Sequence, residues 1–295
     1  MTADTGIRNP EPITPLLGDW LSTEGHASPG IARLEVRQRG GAAWLRAFGG
    51  GSRDWGETPA VLYRTLGVPA SALTAVFDLG FLRTVVSAHH KGGILVVTTS
   101  NVFRDGSSRA DYWTREFFHL IGRADGRAGA GGDGPVASGG DTGPDTPGRR
   151  RGEAVAVPEI SREQDRPTGT GPTGPLDVRP LLGRWANFDR STTGVRRAET
   201  QQQGSRLLLR LWEADGADCG PLPVQPLAAD VGSGQAIGFG AEAELAPGLG
   251  SRKVYHCGYL NRGLLTIDVH AAVPGEPAAN VMYRAHFHRT EGDGT

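Results

Sequence analysis

Residues 15–20 read Pro-Leu-Leu-Gly-Asp-Trp, and residues 180–185 read Pro-Leu-Leu-Gly-Arg-Trp. The similarity continues downstream in step, so that Gly-Ile-Ala-Arg-Leu-Glu at 30–35 corresponds to Gly-Val-Arg-Arg-Ala-Glu at 194–199. A unit that recurs over roughly 110 residues has the size of a domain rather than of a solenoid repeat. We therefore interpret the chain as a tandem repeat of one domain.

The composition excludes several classes of protein. The formal net charge of the 295-residue chain is -1, whereas nucleic-acid-binding proteins usually carry a clear excess of basic residues. The two cysteines, Cys219 and Cys257, are too few for a secreted disulfide scaffold. The N-terminus lacks the pattern of a targeting signal, and no apolar run approaches the ~18 residues of a membrane span. We expect a cytoplasmic protein with neither a nucleic-acid nor a membrane partner.

Residues 122–179 differ in composition from the rest of the chain. Glycine, proline, aspartate, threonine and arginine dominate them. Such a segment cannot bury enough apolar surface to offset the entropy lost on ordering, so we predict a flexible linker. The predicted domains are a first β-barrel at 1–121, the linker at 122–179 and a second β-barrel at 180–295.

Both copies have the pattern of β structure throughout. Short runs that alternate apolar and polar residues are broken by Gly, Pro, Asp and Ser every ~8–12 residues, which is typical of a sandwich or a barrel. We predict an all-β protein with two tandem antiparallel up-and-down β-barrels of about eight strands each. The strands predicted for the first copy are 18–24, 31–39, 42–49, 58–64, 71–78, 82–90, 93–103 and 110–120.

The first hairpin of each copy allows a sharper prediction. Gly-Gly at 40–41 and Gly-Ser at 204–205 are signals of a two-residue hairpin turn. Counting outward from these turns places Glu35 opposite Arg46 and Glu199 opposite Arg210. By the same count, an arginine faces an aromatic residue in each copy, and these pairs are Arg33 with Phe48 and Arg197 with Trp212.

These hairpin charges are the first candidate ligand-binding residues. If they point into the barrel, the guanidinium groups suit a carboxylate, an enol or a carbonyl. If they point outward, they form surface ion pairs that contribute ~0–1 kcal/mol each. The more apolar opposite face favours the outward alternative, whereas the presence of the charges in both copies favours a ligand or a buried structural pair. The candidates are Arg33, Glu35, Arg46, Arg197, Glu199 and Arg210.

Two aspartates complete the candidate set. Asp54 and Asp218 each precede a glycine by two residues, and this Asp-x-Gly pattern is what a tight turn needs. We interpret both as turns. The alternative is a carboxylate at the barrel mouth that binds a ligand or acts as a general acid or base.

Other sites are not supported by the sequence. His286 and His288 share one face of a strand, as metal ligands could, but the first copy has Phe117 and His119 there. His256 and the cysteine that follows it point to opposite faces of a strand and make no direct catalytic dyad. No glycine-rich nucleotide-binding loop is present. We predict neither a metal site nor a cofactor.

The Gly-x-Trp pattern at residues 18–20 and 183–185, followed in each copy by an arginine in the last strand, resembles the calycin group, which includes lipocalins, fatty-acid-binding proteins and avidins. The arginines are Arg115 and Arg284. The resemblance implies that Trp20 and Trp185 close one end of each barrel and that the arginine packs across the tryptophan. It also implies a small-molecule site in the barrel mouth, and a few such barrels fold reactive polyenes for cyclisation.

We therefore expect an intracellular small-molecule-binding protein with lipocalin-like cavities, largely apolar with a few placed polar groups. The alternative is a cofactor-independent cyclase or isomerase of a specialised-metabolite pathway, polyketide or terpenoid, in which Arg, Glu or Tyr polarises a carbonyl. A third hypothesis makes the second copy a structural partner of the first, so that the barrels pack as a pseudo-dimer. The residues alone do not decide whether the protein is an enzyme.

Overall fold

The computed structural model describes residues 15–25, 30–65, 68–123, 171–172, 174–245 and 252–290. The described residues are all-β, as predicted, and their helical structure is limited to short 3-10 turns such as Gly50–Ser52 and Pro277–Ala279. Within the same residues, no helix is long and apolar enough to cross a membrane. Most of the predicted linker, including 124–170, lies outside the described residues.

The first half contains eight strands. They lie close to their predicted positions, except that β4 begins at Arg53 rather than at residue 58. The strands are β1 (Gly18–Ser22), β2 (Ile31–Arg39), β3 (Ala42–Gly49), β4 (Arg53–Thr65), β5 (Val68–Asp78), β6 (Leu82–Lys91), β7 (Ile94–Phe103) and β8 (Tyr112–Gly122).

The second half also contains eight strands. They are β9 (Gly183–Asn187), β10 (Val195–Gln203), β11 (Arg206–Glu213), β12 (Leu222–Ala228), β13 (Ala236–Leu245), β14 (Arg252–Asn261), β15 (Leu264–Ala272) and β16 (Val281–Thr290). Asp177 precedes them and pairs with Gln235. The contacts of the second half therefore begin at Asp177, slightly before the predicted start of the second domain at residue 180.

Each half closes on itself. Every strand pairs antiparallel with the next one in its half, and the first strand of each half also pairs with the last. β1 meets β8 where Trp20 lies opposite Leu120, and β9 meets β16 where Trp185 lies opposite Arg289. We call β1–β8 the first ring and β9–β16 the second ring.

The rings are not separate barrels, because their strands belong to one 16-stranded sheet. β12 joins β8 where the Ala228 amide donates to the Asp111 carbonyl (2.8 Å), and β4 joins β16 where the Arg64 amide donates to the Asn280 carbonyl (3.0 Å). Both junctions are parallel and pair a single residue on each side. The prediction of two separate barrels is therefore wrong, although the all-β class is as predicted. Single-residue junctions leave no pattern in the sequence that could have predicted them.

The tryptophans of the two Gly-x-Trp patterns are buried inside their rings. Trp20 is 1% exposed and Trp185 is 2% exposed. The Trp20 indole donates to the Leu16 carbonyl (2.9 Å), and the Trp185 indole donates to Thr200 Oγ1 (3.3 Å). Each indole therefore packs in the core with its N–H bonded.

The arginines take different places from those that the resemblance implied. Over Trp185 lies the guanidinium of Arg289, 4.6 Å from the ring centroid. Arg284 instead bonds Asp268, and Arg115 lies 5.9 Å from the ring centroid of Tyr259 in the other ring. Arg284 and Arg289 are five residues apart in one strand, so they point to opposite faces. The implied pairing of Arg115 and Arg284 with the tryptophans is therefore wrong.

The outer faces of the two rings pack on each other. The indole of Trp113 in β8 stacks on the ring of Tyr259 in β14, with 4.4 Å between centroids. Ser87 Oγ of β6 lies 2.8 Å from His270 Nε2 of β15, and both side chains are buried. The contact between the halves is therefore partly aromatic and partly polar.

Candidate functional site

The hairpin of the first ring has the predicted register. Glu35 lies opposite Arg46, and Arg33 lies opposite Phe48. The opposite face of the hairpin carries Leu34 and the other apolar residues, and it is buried in the core. The charged side chains therefore point outward, away from the interior of the ring.

Their ion pairs differ from the cross-strand pairing. Arg46 bonds both oxygens of Asp54, with 3.0 Å between Nε and Oδ1. Glu35 instead forms an ion pair with Arg33, and the Arg37 Nη2 atom lies 3.7 Å from Glu35 Oε2. The hydrogen bond from Arg46 holds the pKa of Asp54 below its ordinary value. The residue that lies opposite in the strand register is thus not always the one with which a long side chain forms an ion pair.

Asp54 lies inside β4 rather than in a turn, which corrects the prediction. Its Oδ1 accepts a hydrogen bond from the Gly56 amide (2.9 Å), and Gly56 has a φ of 89°. The register with β3 shifts between Ala47 and Phe48 at the same place. Asp and Gly therefore form a β-bulge, which needs the same local bond and the same positive φ as a turn.

The second ring repeats this arrangement on its own outer face. Glu199 lies opposite Arg210, and Arg197 lies opposite Trp212, as predicted. Arg210 bonds Asp218, with 2.9 Å between Nε and Oδ2, while Glu199 accepts from Arg184 Nε (3.0 Å). Asp218 makes an isolated bridge with Trp212, ahead of the start of β12.

The eight predicted residues thus form two outward clusters, one on each ring, and the structure does not bring the clusters together. The guanidinium of Arg33 lies 4.4 Å from the Phe48 ring, and that of Arg197 lies 5.1 Å from the Trp212 ring. Glu199 and Arg210 line a surface depression of about 280 Å³. None of the eight residues lines the interior cavity described next, and their assignment as ligand-binding residues stays a prediction.

A cavity of about 140 Å³ lies inside the second ring. Its walls are mostly apolar and belong to the core of that ring. Neutral polar side chains, namely His256, Cys219 and Tyr283, also line it. The apolar lining residues are Val195, Leu211, Ala217, Val254, Val269, Ala271 and Val281, and the charged ones are Glu213, Asp215 and Arg252.

His256 is the unusual residue of this cavity. It is 2% exposed, and its Nδ1 has no hydrogen-bond partner among the described residues. Burial lowers the pKa of His256 to about 4, and His270 adds to the effect. The imidazole is therefore neutral at pH 7, with one nitrogen that donates and one that accepts. A buried polar atom without a partner is rare in proteins, and this one lies beside the cavity, where it can form a hydrogen bond with a molecule inside it.

Cys219 and Tyr283 are also uncharged at neutral pH. Burial raises the pKa of Tyr283 to about 12 and raises the pKa of the Cys219 thiol. The cavity can therefore offer an imidazole, a thiol and a phenol, all neutral, to a molecule inside it.

Sequence reasoning missed this site, although a signal was present. His256 has the same strand phase as Val254 and Leu260, which belong to or pack against the core. A histidine in phase with core residues of a strand points inward. In the described residues, no group of three or more His, Cys, Asp or Glu side chains could hold a metal ion.

Comparisons with known proteins give no identity. No protein-family model matches the chain, and no curated protein and no solved structure matches it. The calycin resemblance therefore rests on the residues quoted for it.

Proposed function

We propose that the protein binds a small neutral molecule inside the second ring. The observation that carries this proposal is His256, a buried imidazole that lines an apolar cavity and whose Nδ1 has no partner among the described residues. Cavities with apolar walls and few convergent polar groups are the usual form of small-molecule sites.

The volume of the cavity limits the size of the ligand. It measures about 140 Å³, close to the ~150 Å³ of an engineered apolar cavity that takes up benzene. The ligand therefore has about the size of a single six-membered ring with one substituent.

The charge state of the lining limits the chemistry of the ligand. His256 is neutral at pH 7 because burial lowers its pKa to about 4, and Tyr283 stays protonated because burial raises its pKa to about 12. The charged lining residues are at least partly exposed, since Asp215 is exposed and Glu213 and Arg252 are half-buried. A charged group beside His256 and Tyr283 would lose its hydration without gaining a counter-ion from either of them. One hydroxyl or carbonyl group could bond the imidazole. We infer a phenol, a cyclic alcohol or a cyclic ketone as the class of ligand.

A second candidate function follows from the same residues. His256 and Tyr283 line one cavity, so a neutral imidazole could take a proton from carbon while the phenol donates to a carbonyl oxygen. This is the chemistry of the cofactor-independent isomerase. Incubation with cyclohexanone in D2O would test it: deuterium incorporation that is faster with wild type than with His256→Phe supports the enzyme, and equal rates exclude it for this ketone.

Binding can be tested with phenol and benzene by calorimetry. Wild type should prefer phenol, and His256→Phe should lose that preference by about fivefold to tenfold, the size of one hydrogen bond of ~1 kcal/mol. Ala271→Leu should weaken both ligands because it fills the cavity. His288→Phe, on the outer face of β16, is the matched control and should bind as wild type does. Phenol binding that survives both cavity variants would refute the proposal.

A further inference from the structure

A second and larger concavity lies between the two rings. This inter-ring groove has a volume of about 570 Å³ and is lined by β6 and β7 of the first ring and by β11–β14 of the second. Part of its accessible lining is apolar, namely Val102, Pro223 and Pro226. Ser100 Oγ and the Tyr255 hydroxyl also line it, 2.6 Å from each other across the contact between the rings.

Three arginines from both rings line the same groove. Arg83 pairs with Glu242 at 2.5 Å, and Arg104 pairs with Asp78 at 3.0 Å. Arg206 is exposed and has no ion-pair partner among the described residues. Of the two carboxylates, only Glu242 lines the groove. The lining therefore carries three guanidinium groups against one carboxylate.

The two ion pairs at the groove can be exchanged for contacts with a ligand. The side chains of Glu242 and Asp78 are 56% and 57% exposed, and exposed pairs of this kind contribute little stability. Guanidinium groups bind carboxylates and sulfonates through paired N–H donors. Apolar walls beside such groups suit a molecule with an apolar body and an acidic group.

We propose that the inter-ring groove binds an amphipathic organic anion, with its acidic group at Arg206 and Arg83 and its apolar body against Val102, Pro223 and Pro226. This site differs from the cavity of the second ring in position, in size and in the charge of its ligand. Its volume lies within the ~300–1,000 Å³ typical of organic ligand sites. Because both rings line it, the site exists only while the two halves are packed together.

Gly240 offers a way to block the groove without removing a charge. It lines the groove, and a Cβ placed on it would lie 3.6 Å from both Ser100 Oγ and the Tyr255 hydroxyl, which is ordinary van der Waals distance. Its φ is not in the left-handed region. A leucine side chain at this position is therefore expected to extend into the groove with little backbone strain.

The test uses the full chain and the fluorescent probe 8-anilinonaphthalene-1-sulfonate, which has an aromatic body and one sulfonate. We expect saturable binding that weakens with added salt. Arg206→Gln should reduce the affinity about tenfold, the size of one charge-assisted contact. Gly240→Leu should also reduce it, and circular dichroism would establish that this variant keeps its fold.

Two controls locate the probe. Arg196→Gln removes an exposed arginine of β10 that does not line the groove and should leave the affinity unchanged. Ala271→Leu fills the cavity of the second ring and should leave it unchanged as well. Wild-type affinity in both groove variants would overturn the proposal, as would an equal loss in Arg196→Gln or a loss confined to Ala271→Leu.

Discussion

The guanidinium of Arg284 holds the carboxylate of Asp268 through two hydrogen bonds, 2.6 Å from Nε to Oδ1 and 2.7 Å from Nη2 to Oδ2. The side chain of Asp268 is 1% exposed, and that of Arg284 is 18% exposed. The charges of Arg284 and Asp268 both act on the pKa of His89 in the first ring, so the pair faces the contact between the rings. The first ring has Thr98 opposite Arg115 at the corresponding place, so the carboxylate there is particular to the second ring.

Removing the charge of Asp268 should lower the free energy of unfolding. Asp268→Asn leaves Arg284 half-buried without its counter-ion, and breaking a buried pair in this way costs about 3 kcal/mol or more of the free energy of unfolding. Asp78→Asn is the matched control, because the exposed pair of Asp78 with Arg104 should contribute less than about 1 kcal/mol. Urea denaturation measures both. Equal and small effects would show that solvent reaches the Asp268 carboxylate.

The ion pairs of the first hairpin should follow the side-chain contacts and not the strand register. A double-mutant cycle between Arg46→Met and Asp54→Asn should give a coupling of about 0.2–1 kcal/mol, as exposed pairs do. The cycle between Arg46→Met and Glu35→Gln should give less, because Glu35 bonds Arg33 instead. A larger coupling for the second cycle would restore the cross-strand pair as the dominant interaction.

Acid should destabilise the protein through its buried histidines. Burial lowers the pKa of His270 to about 4, although Asp268 acts in the opposite direction, and burial likewise lowers the pKa of His256 to about 4. Unfolded histidine titrates near pH ~6.5. Between about pH 6.5 and pH 4 the unfolded chain binds more protons, so the free energy of unfolding is full above this range and falls as the pH falls through it.

His270→Gln should flatten this dependence by about 3 kcal/mol between pH 7 and pH 4, since one pKa unit corresponds to ~1.4 kcal/mol. His288→Gln, whose side chain is exposed, should keep the wild-type dependence. Urea midpoints at three or four pH values would measure the slope. An unchanged slope in His270→Gln would mean that this imidazole is already hydrated in the folded protein.

The two halves should stay together when the chain between them is cut. A thrombin site placed between residues 140 and 150 allows cleavage without touching a described strand. After cleavage the halves should co-elute in gel filtration, because Trp113, Tyr259, Ser87 and His270 pack across the contact. The same cleavage in Ser87→Arg, which puts a charge into that buried contact, should release two separate fragments. Release from the wild-type background would contradict a stable contact.

Local features were the ones that sequence could predict. The two-residue turn at residues 40–41 has positive φ at both glycines, 56° and 84°, and this geometry fixed the register of Glu35 and Arg46 by counting. The sequence predicts a turn at Asp54, where the structure has a bulge, because both need an aspartate and a glycine at that spacing. The ion pair of Arg46 with Asp54 then depends on the bulge and not on a count of residues.

The contact between the rings could not be predicted in the same way. Along β15, Thr266, Asp268 and His270 alternate with core residues and look like a solvated face. They are buried because the other ring covers them. The strands of the other ring that cover this face lie far away along the chain, as Ser87 does from His270. The sequence of β14 nonetheless indicates a buried outer face. That face carries Tyr255, Cys257 and Tyr259, and it is more apolar than a solvent-exposed strand face.

Ring closure also bears on aggregation. β7 consists of ten uncharged residues rich in Ile, Val, Leu, Thr and Phe, a composition that forms intermolecular cross-β stacks when its backbone is exposed. In the described part of the chain, every strand has a hydrogen-bonded neighbour on both sides. No strand there therefore presents a wholly unpaired edge to a strand from another molecule. The short pairings of β1 with β8 and of β9 with β16 therefore protect the protein against fibre growth. A molecule in which one of these pairings opens becomes a template for fibre growth.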